Sequence, residues 1–182
     1  MRIFISGSRS IHRLDERTEY DASRTIKDFC LAGNTILVGD AHGADRAVQA
    51  LLREIGHSDV VVYTCREGPR NNLGQWPVRA IEAPAGAKGF GLHRWKDEAM
   101  ARDADEGFMI WDGVSRGTLN NIVNMVRLRK QALVYLARRR HFVLVKDGRD
   151  LRALVYSCGG PATGLYEALA GTPQKGGTEA WS

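Results

Sequence analysis

Residues 38–47 read VGDAHGADRA, placing two glycines, two aspartates and a histidine where an apolar run gives way to a helical pattern. A second glycine-bearing polar stretch, WDGVSRGT at 111–118, also follows an apolar run. Glycines at such a point let backbone approach something small, and the helix that follows offers unpaired N–H groups to an anion. Carboxylates there suit a different partner, because acidic residues in dinucleotide sites accept hydrogen bonds from ribose hydroxyls. Asp45 beside a bound phosphate would repel it by about 1–4 kcal/mol, depending on screening. A phosphate near Asp45 therefore needs Arg9 or Arg94 to compensate, whereas a nucleotide, with separate sugar and phosphate poles, satisfies both demands. Each residue alone also has a plain structural use. Gly7 and Gly39 serve as tight strand exits, Arg9 as a surface cation, and Asp45 as a carboxylate favouring the first turn of a helix. In HRWKDEAM (93–100), Arg94, Asp97 and Glu98 share a helical face, while Trp95 and Met100 read as core.

Other chemistries find little support. Cys30, Cys65 and Cys158 are scattered without C-x-x-C spacing, and the five histidines form no ligand cluster, so neither disulfide, metal nor cofactor is expected. The apolar runs are too short to span a bilayer, and MRIFISGSRS enters a strand-like run without a signal-peptide pattern. A cytoplasmic protein with no membrane partner is the expectation. The net charge of +5 favours anionic partners. Basic residues gather at RLRK (127–130) and ARRRH (137–141), which read either as a nucleic-acid face or as solvated ends of elements.

Five runs, RIFIS (2–6), TILV (35–38), VVVYT (60–64), GFMIW (107–111) and ALVYL (132–136), are near-continuous in apolar character. That pattern suits strands buried on both faces of a parallel sheet. Helical spacings fill the gaps, as in Ala44, Ala47, Val48, Leu51 and Leu52, and in Leu119, Ile122, Val123 and Val126. The expected fold is α/β: a Rossmann-like, doubly wound, mainly parallel sheet of five or more strands with helices on both faces. SGSRS, GDAHGAD, CREGPRNN and WDGVSRGT each follow a strand and so converge on the carboxyl edge, where open α/β sheets bind ligands. Residues 1–136 form the binding domain, with 66–92 as a long lid-like loop. Residues 137–182 form a C-terminal extension, a hairpin or strand–turn–helix around Asp147-Gly148 followed by a short helix and a frayed tail.

In order and placement, GSRS, GDAHGADRA, HRWKDEAM and DGVSRGT resemble the YspA-like branch of the SLOG superfamily, Rossmann-type nucleotide-binding proteins related to the LOG phosphoribohydrolases and to the DNA-processing protein DprA. The resemblance spans roughly residues 1–136. It implies that Ser8 and Arg9 lie in the first binding loop, and that Gly39, Gly43, Ala44 and Asp45 match a glycine-rich second motif in which Asp40 replaces a commoner glycine. It further implies that Arg94 and Met100 match a third-helix spacing, and that Gly113, Ser115, Gly117 and Thr118, with Asp112 beside them, match the last phosphate loop. Where the phosphoribohydrolases carry a catalytic glutamate, this chain has Asn121, and an amide cannot replace a carboxylate as base. The catalytic residue is therefore unassigned, with Glu98, Asp112 and Glu67 as candidates.

Three functions stay open. The first is a sensor or binding module for a nucleotide or nucleotide-derived small molecule. The second is an N-glycosidic-bond enzyme, phosphoribohydrolase- or deoxyribosyltransferase-like. The third is a nucleic-acid-handling protein. Pairing into a homo-oligomer follows only by analogy with relatives that associate through helices.

Overall fold

The near-continuous apolar runs become strands, and their side chains alternate between two cores. The computed structural model describes residues 1–14, 19–82 and 89–170. Strands β1 (Arg2–Gly7), β2 (Thr35–Gly39), β3 (Val60–Thr64), β4 (Val78–Ala80), β5 (Glu106–Trp111), β6 (Ala132–Leu136) and β7 (His141–Val145) form one sheet in the order β4-β3-β2-β1-β5-β6-β7. Every pairing is parallel except β6 with β7. Ile3 and Ile5 face one core with Ile36, Val38, Phe108 and Ile110, covered by α1 (Tyr20–Leu31) and α2 (Ala44–Glu54). Phe4 faces the other with Leu37, Met109 and Trp111, covered by α3 (Gly89–Asp103) and α4 (Arg116–Arg127). The two-residue strand period thus supplies both layers from the same sequence.

The order of strands fixes the site. From β1 the chain winds outward through β2 and β3 to β4, then returns through α3 to β5 on the other side of β1. The carboxyl ends of β1 and β5 therefore flank the topological switch point, where connections leave toward opposite faces and open a crevice.

Two strands lie beyond the five apolar runs. The three residues of β4 are all exposed on an edge, so no apolar pattern marks them. After a single 3-10 turn at Ala137–Arg139, β7 pairs antiparallel with β6. Asp147 then caps α5 (Gly148–Cys158), its carboxylate accepting from Arg149 N at 2.8 Å and Asp150 N at 3.0 Å. The segment is thus both hairpin and strand–turn–helix. Leu151, Leu154 and Val155 of α5, with Ala162 and Leu169 of α6 (Gly160–Ala170), enter the same core as α3 and α4. The chain beyond residue 136 continues the sheet and its packing.

Within the 66–92 stretch, residues 70–76 are fastened down. Asn71 Nδ2 donates to Asp40 O at 2.9 Å, Leu73 N donates to Gln49 Oε1 at 3.0 Å, and Trp76 Nε1 donates to His57 O at 3.1 Å. Residues 83–88 of that expected lid and 171–182 of the expected tail lie outside the described residues. Among the described residues no helix is long and apolar enough to cross a membrane.

Candidate functional site

A cleft of about 480 Å³ opens at the switch point. Ser6, Gly7 and Arg9 from the end of β1, Ala41, His42 and Asp45 from the β2–α2 connection, and Ser115, Gly117, Thr118 and Asn121 from the start of α4 line it. Helix α3 contributes His93, Lys96 and Asp97, and Arg116 completes the rim.

Close backbone approach builds its floor. Gly43, at φ +80, heads α2, and a Cβ there would lie 2.5 Å from the backbone of Arg9. A Cβ on Gly39 would overlap both Asp45 Oδ2 and Lys96 Nζ, so the bare end of β2 makes room for that ion pair. Ser8 ties the loops together from behind the wall. Its carbonyl accepts from Ala44 N at 3.2 Å, its hydroxyl accepts from Asp112 N at 3.0 Å, and Oγ lies 3.3 Å from Thr118 Oγ1.

Lys96 is the electrostatic hub. It is 3% exposed, and its ammonium lies 3.5 Å from Asp40 Oδ1, 3.5 Å from Asp45 Oδ2 and 3.8 Å from Asp97 Oδ1. Burial works against that charge, but the three carboxylates outweigh it and keep the group an ammonium. Burial would likewise raise the Asp40 carboxyl. Hydrogen bonds from the Arg70 side chain and backbone, and the charges of Lys96 and Arg70, together hold it well below the usual range. Asp97 goes the other way. Burial, with the negative charges of Asp45 and Asp40, pushes it up to about 7 despite Lys96 and a hydrogen bond from Asn121. One carboxyl of the trio is thus poised to exchange a proton near neutrality. His93 is lowered by burial and by Arg70 and Lys96 nearby.

Hydrogen bonds to Asp112 shape the loop that leads into α4. Asp112 Oδ1 accepts from Val114 N and Ser115 N, while Oδ2 accepts from Ser10 Oγ and Ser115 Oγ. Burial would raise Asp112, and these bonds outweigh it, keeping the carboxylate ionised as the brace of the loop. Beyond the brace, the N–H groups of Gly117 and Thr118 have no acceptor among the described residues. Asn121, 2% exposed, donates from Nδ2 to Ser6 Oγ at 2.9 Å, and its Oδ1 has no hydrogen-bond partner among the described residues. A buried acceptor without a partner at the wall of a cleft is a group waiting for a donor.

The residues singled out by sequence divide into four groups. Gly7, Arg9, Asp45, Ser115, Gly117 and Thr118 line the cleft. Ser8, Gly39, Asp40, Gly43 and Ala44 support it from beneath, and Asp112 and Gly113 face a second, smaller cavity. Arg94 is not a lining residue: Nε donates to Glu98 Oε1 at 2.8 Å, and Glu98 also takes Arg102 at 3.3 Å. Glu67 is exposed away from the cleft. Met100 is core. Sequence does not mark Lys96, because helical spacing alone does not say which cation of HRWK turns inward, and two of the carboxylates that draw it in, Asp40 and Asp45, come from the loop after β2 and the start of α2. No group of histidine, cysteine and carboxylate side chains among the described residues could hold a metal ion.

No family model matches the chain, and no curated protein matches it. Solved structures do. One is DNA processing protein A from Helicobacter pylori, described for its single-stranded DNA binding mode, at TM-score 0.61 and 14% identity over 93% of this chain and 80% of that one. The fold is Rossmann-like. At that identity the likeness speaks for the architecture, and the site's function has to come from its own geometry.

Proposed function

We propose that the cleft binds a nucleotide, with its phosphate at the start of α4 and its sugar toward Asp45 and Asp97. One juxtaposition carries the reading. Unpaired N–H groups at Gly117 and Thr118 open onto the same cleft as two carboxylates and the unpartnered Asn121 Oδ1. The first suits an anion, and the others suit the hydroxyl and N–H donors of a sugar or base. Arg9 and Arg116 on the rim add charge of the right sign. The resemblance of GSRS, GDAHGADRA and DGVSRGT to the YspA-like branch of the SLOG superfamily supports the reading.

Thermal unfolding against a panel of nucleoside 5′-monophosphates tests it. Ligand at a hundred times Kd adds about 2.7 kcal/mol to the stability of the folded state. Gly117→Asp puts a carboxylate into open space at the helix start, where it favours folding and repels phosphate. The variant should fold normally and lose the nucleotide shift. A panel without any shift, or unchanged binding by the variant, overturns the reading.

A second reading, cleavage of the N-glycosidic bond of such a nucleotide, has its own observation in Asp97. The carboxyl lies beside Asn121, titrates near neutrality, and fits proton delivery to a departing base. Glu98 is occupied by two arginines and Asp112 by four donors, which leaves Asp97 the better-placed group. Chromatography for free base released from a nucleoside 5′-monophosphate decides between binding and turnover. If turnover occurs, Asp97→Asn should abolish release while retaining nucleotide binding.

A further inference from the structure

Across the loop from the cleft lies a second cavity of about 180 Å³, walled by Asp112, Val114, Arg138, Arg139 and Cys158 among others. Val114 lines this cavity and Ser115 lines the cleft. Their Cα atoms are chain neighbours, about 3.8 Å apart, so one loop separates the two spaces. Arg138 is exposed and has no hydrogen-bond or ion-pair partner among the described residues. Arg139 gives one donor to Ser157 O at 2.6 Å, leaving the rest of its guanidinium fork open. The carboxylate present, Asp112, already accepts four hydrogen bonds. The cavity is therefore cationic, and it is too small for a second nucleoside beside the first.

We infer that this cavity holds the next phosphate of a single-stranded nucleic acid whose neighbouring nucleotide occupies the cleft. The inference rests on the nucleotide reading of the cleft and extends its ligand from a monomer to a strand. A lone mononucleotide fills the cleft and has nothing to place beyond the 112–115 loop. A sugar–phosphate backbone crossing that loop delivers a second anion to the two arginines, and bidentate guanidinium donors match a phosphate. Geometry also discriminates between the two basic runs. Residues 138–140 leave the carboxyl end of β6, on the same edge as the cleft, whereas RLRK precedes β6 at the opposite edge. There Lys130 Nζ is spent on the carbonyls of Ala101, Arg102 and Ala104 that end α3. A strand held at the carboxyl edge thus meets one run and not the other.

The test compares a 5′-phosphorylated oligothymidylate, followed by fluorescence anisotropy, with thymidine 5′-monophosphate, followed by calorimetry. Parent protein is set against the R138Q/R139Q double variant and against R138Q alone, which disturbs no hydrogen bond or ion pair among the described residues. The oligonucleotide should bind more tightly than the monophosphate. The double variant should lose about tenfold or more of that affinity, the scale of a charged hydrogen bond, with the monophosphate unaffected. Removing two cations that meet phosphate should also reduce the slope of log K against log salt by about 1.4. Equal affinity for oligonucleotide and monophosphate, or an oligonucleotide affinity indifferent to both arginines, overturns the inference. A parent protein that binds no monophosphate overturns the cleft assignment instead. Oligonucleotide binding that still depends on Arg138 and Arg139 would in that case support the second cavity by itself.

Discussion

At the scale of single residues, the cleft is governed by one ammonium among three carboxylates. Lys96→Met should destabilise the protein by about 3–5 kcal/mol in chemical denaturation, because Asp40 and Asp45 would be left with one counter-charge, Arg70, which reaches only the first. Asp97→Asn should act in the opposite sense, and only at higher pH. The Asp97 carboxyl rises from 3.8 in the unfolded chain to about 7 in the fold, so the native state holds its proton more tightly. Stability is then lost as pH climbs between those values and levels off above the upper one. The Asn variant lacks that loss, and should exceed the parent by about 1–3 kcal/mol above pH 8 while matching it near pH 4. Denaturation curves at the two pH values check both the sign and the window. The family resemblance, not the helical spacing, places Arg94 among the binding residues. Glu98, one turn away, claims it instead, an i,i+4 pair as available to the eye as any reach into the crevice.

At the scale of elements, glycines and caps set where helices begin. Gly43→Ala requires a side chain at φ +80 and 2.5 Å from the Arg9 backbone, and should cost about 2 kcal/mol or more. The loss should appear in thermal unfolding and should accompany weaker nucleotide binding, since the same close approach places Arg9 on the rim. Asp147→Ala removes the carboxylate that accepts from Arg149 N and Asp150 N and should lower the thermal midpoint slightly, with no effect on ligand. The five apolar runs are readable as strands because burial on both faces leaves no polar position to blur them. β4 is not readable, since a three-residue exposed edge strand is made by its neighbour's hydrogen bonds rather than by its own side chains. β7 has the mixed exposure of an edge strand, which leaves its segment open between hairpin and helix.

At the scale of the molecule, the region after residue 136 belongs to the structure rather than hanging from it. Ending the chain at Leu136 would uncover the core that Val145, Leu151, Leu154, Val155, Ala162 and Leu169 share with α3 and α4. Each large apolar side chain so exposed costs about 1.5–3 kcal/mol, and a few exhaust the 5–15 kcal/mol typical of a domain. A truncated protein should therefore be insoluble or lack a cooperative transition by circular dichroism. Strand order, which sequence could not supply, is what turns three of the four polar loops into one cleft, while CREGPRNN lines none of it and reaches the site through Arg70 on Asp40. Because β1 is central, the helices following β1's two neighbours, α2 and α4, both aim their starts at the same crevice.

Those two starts are not equivalent. The first turn of α2 comes with its own anion, Asp45, held by Lys96 and by Ala41 N, whereas in α4 the N–H groups of Gly117 and Thr118 have no acceptor among the described residues. Any guest with a head and a tail is thereby given a compass bearing: its negative end has one berth, and turning end for end would set like charges face to face. Symmetrical guests such as inorganic pyrophosphate gain nothing from that polarity and should compete poorly with a nucleoside monophosphate of smaller charge.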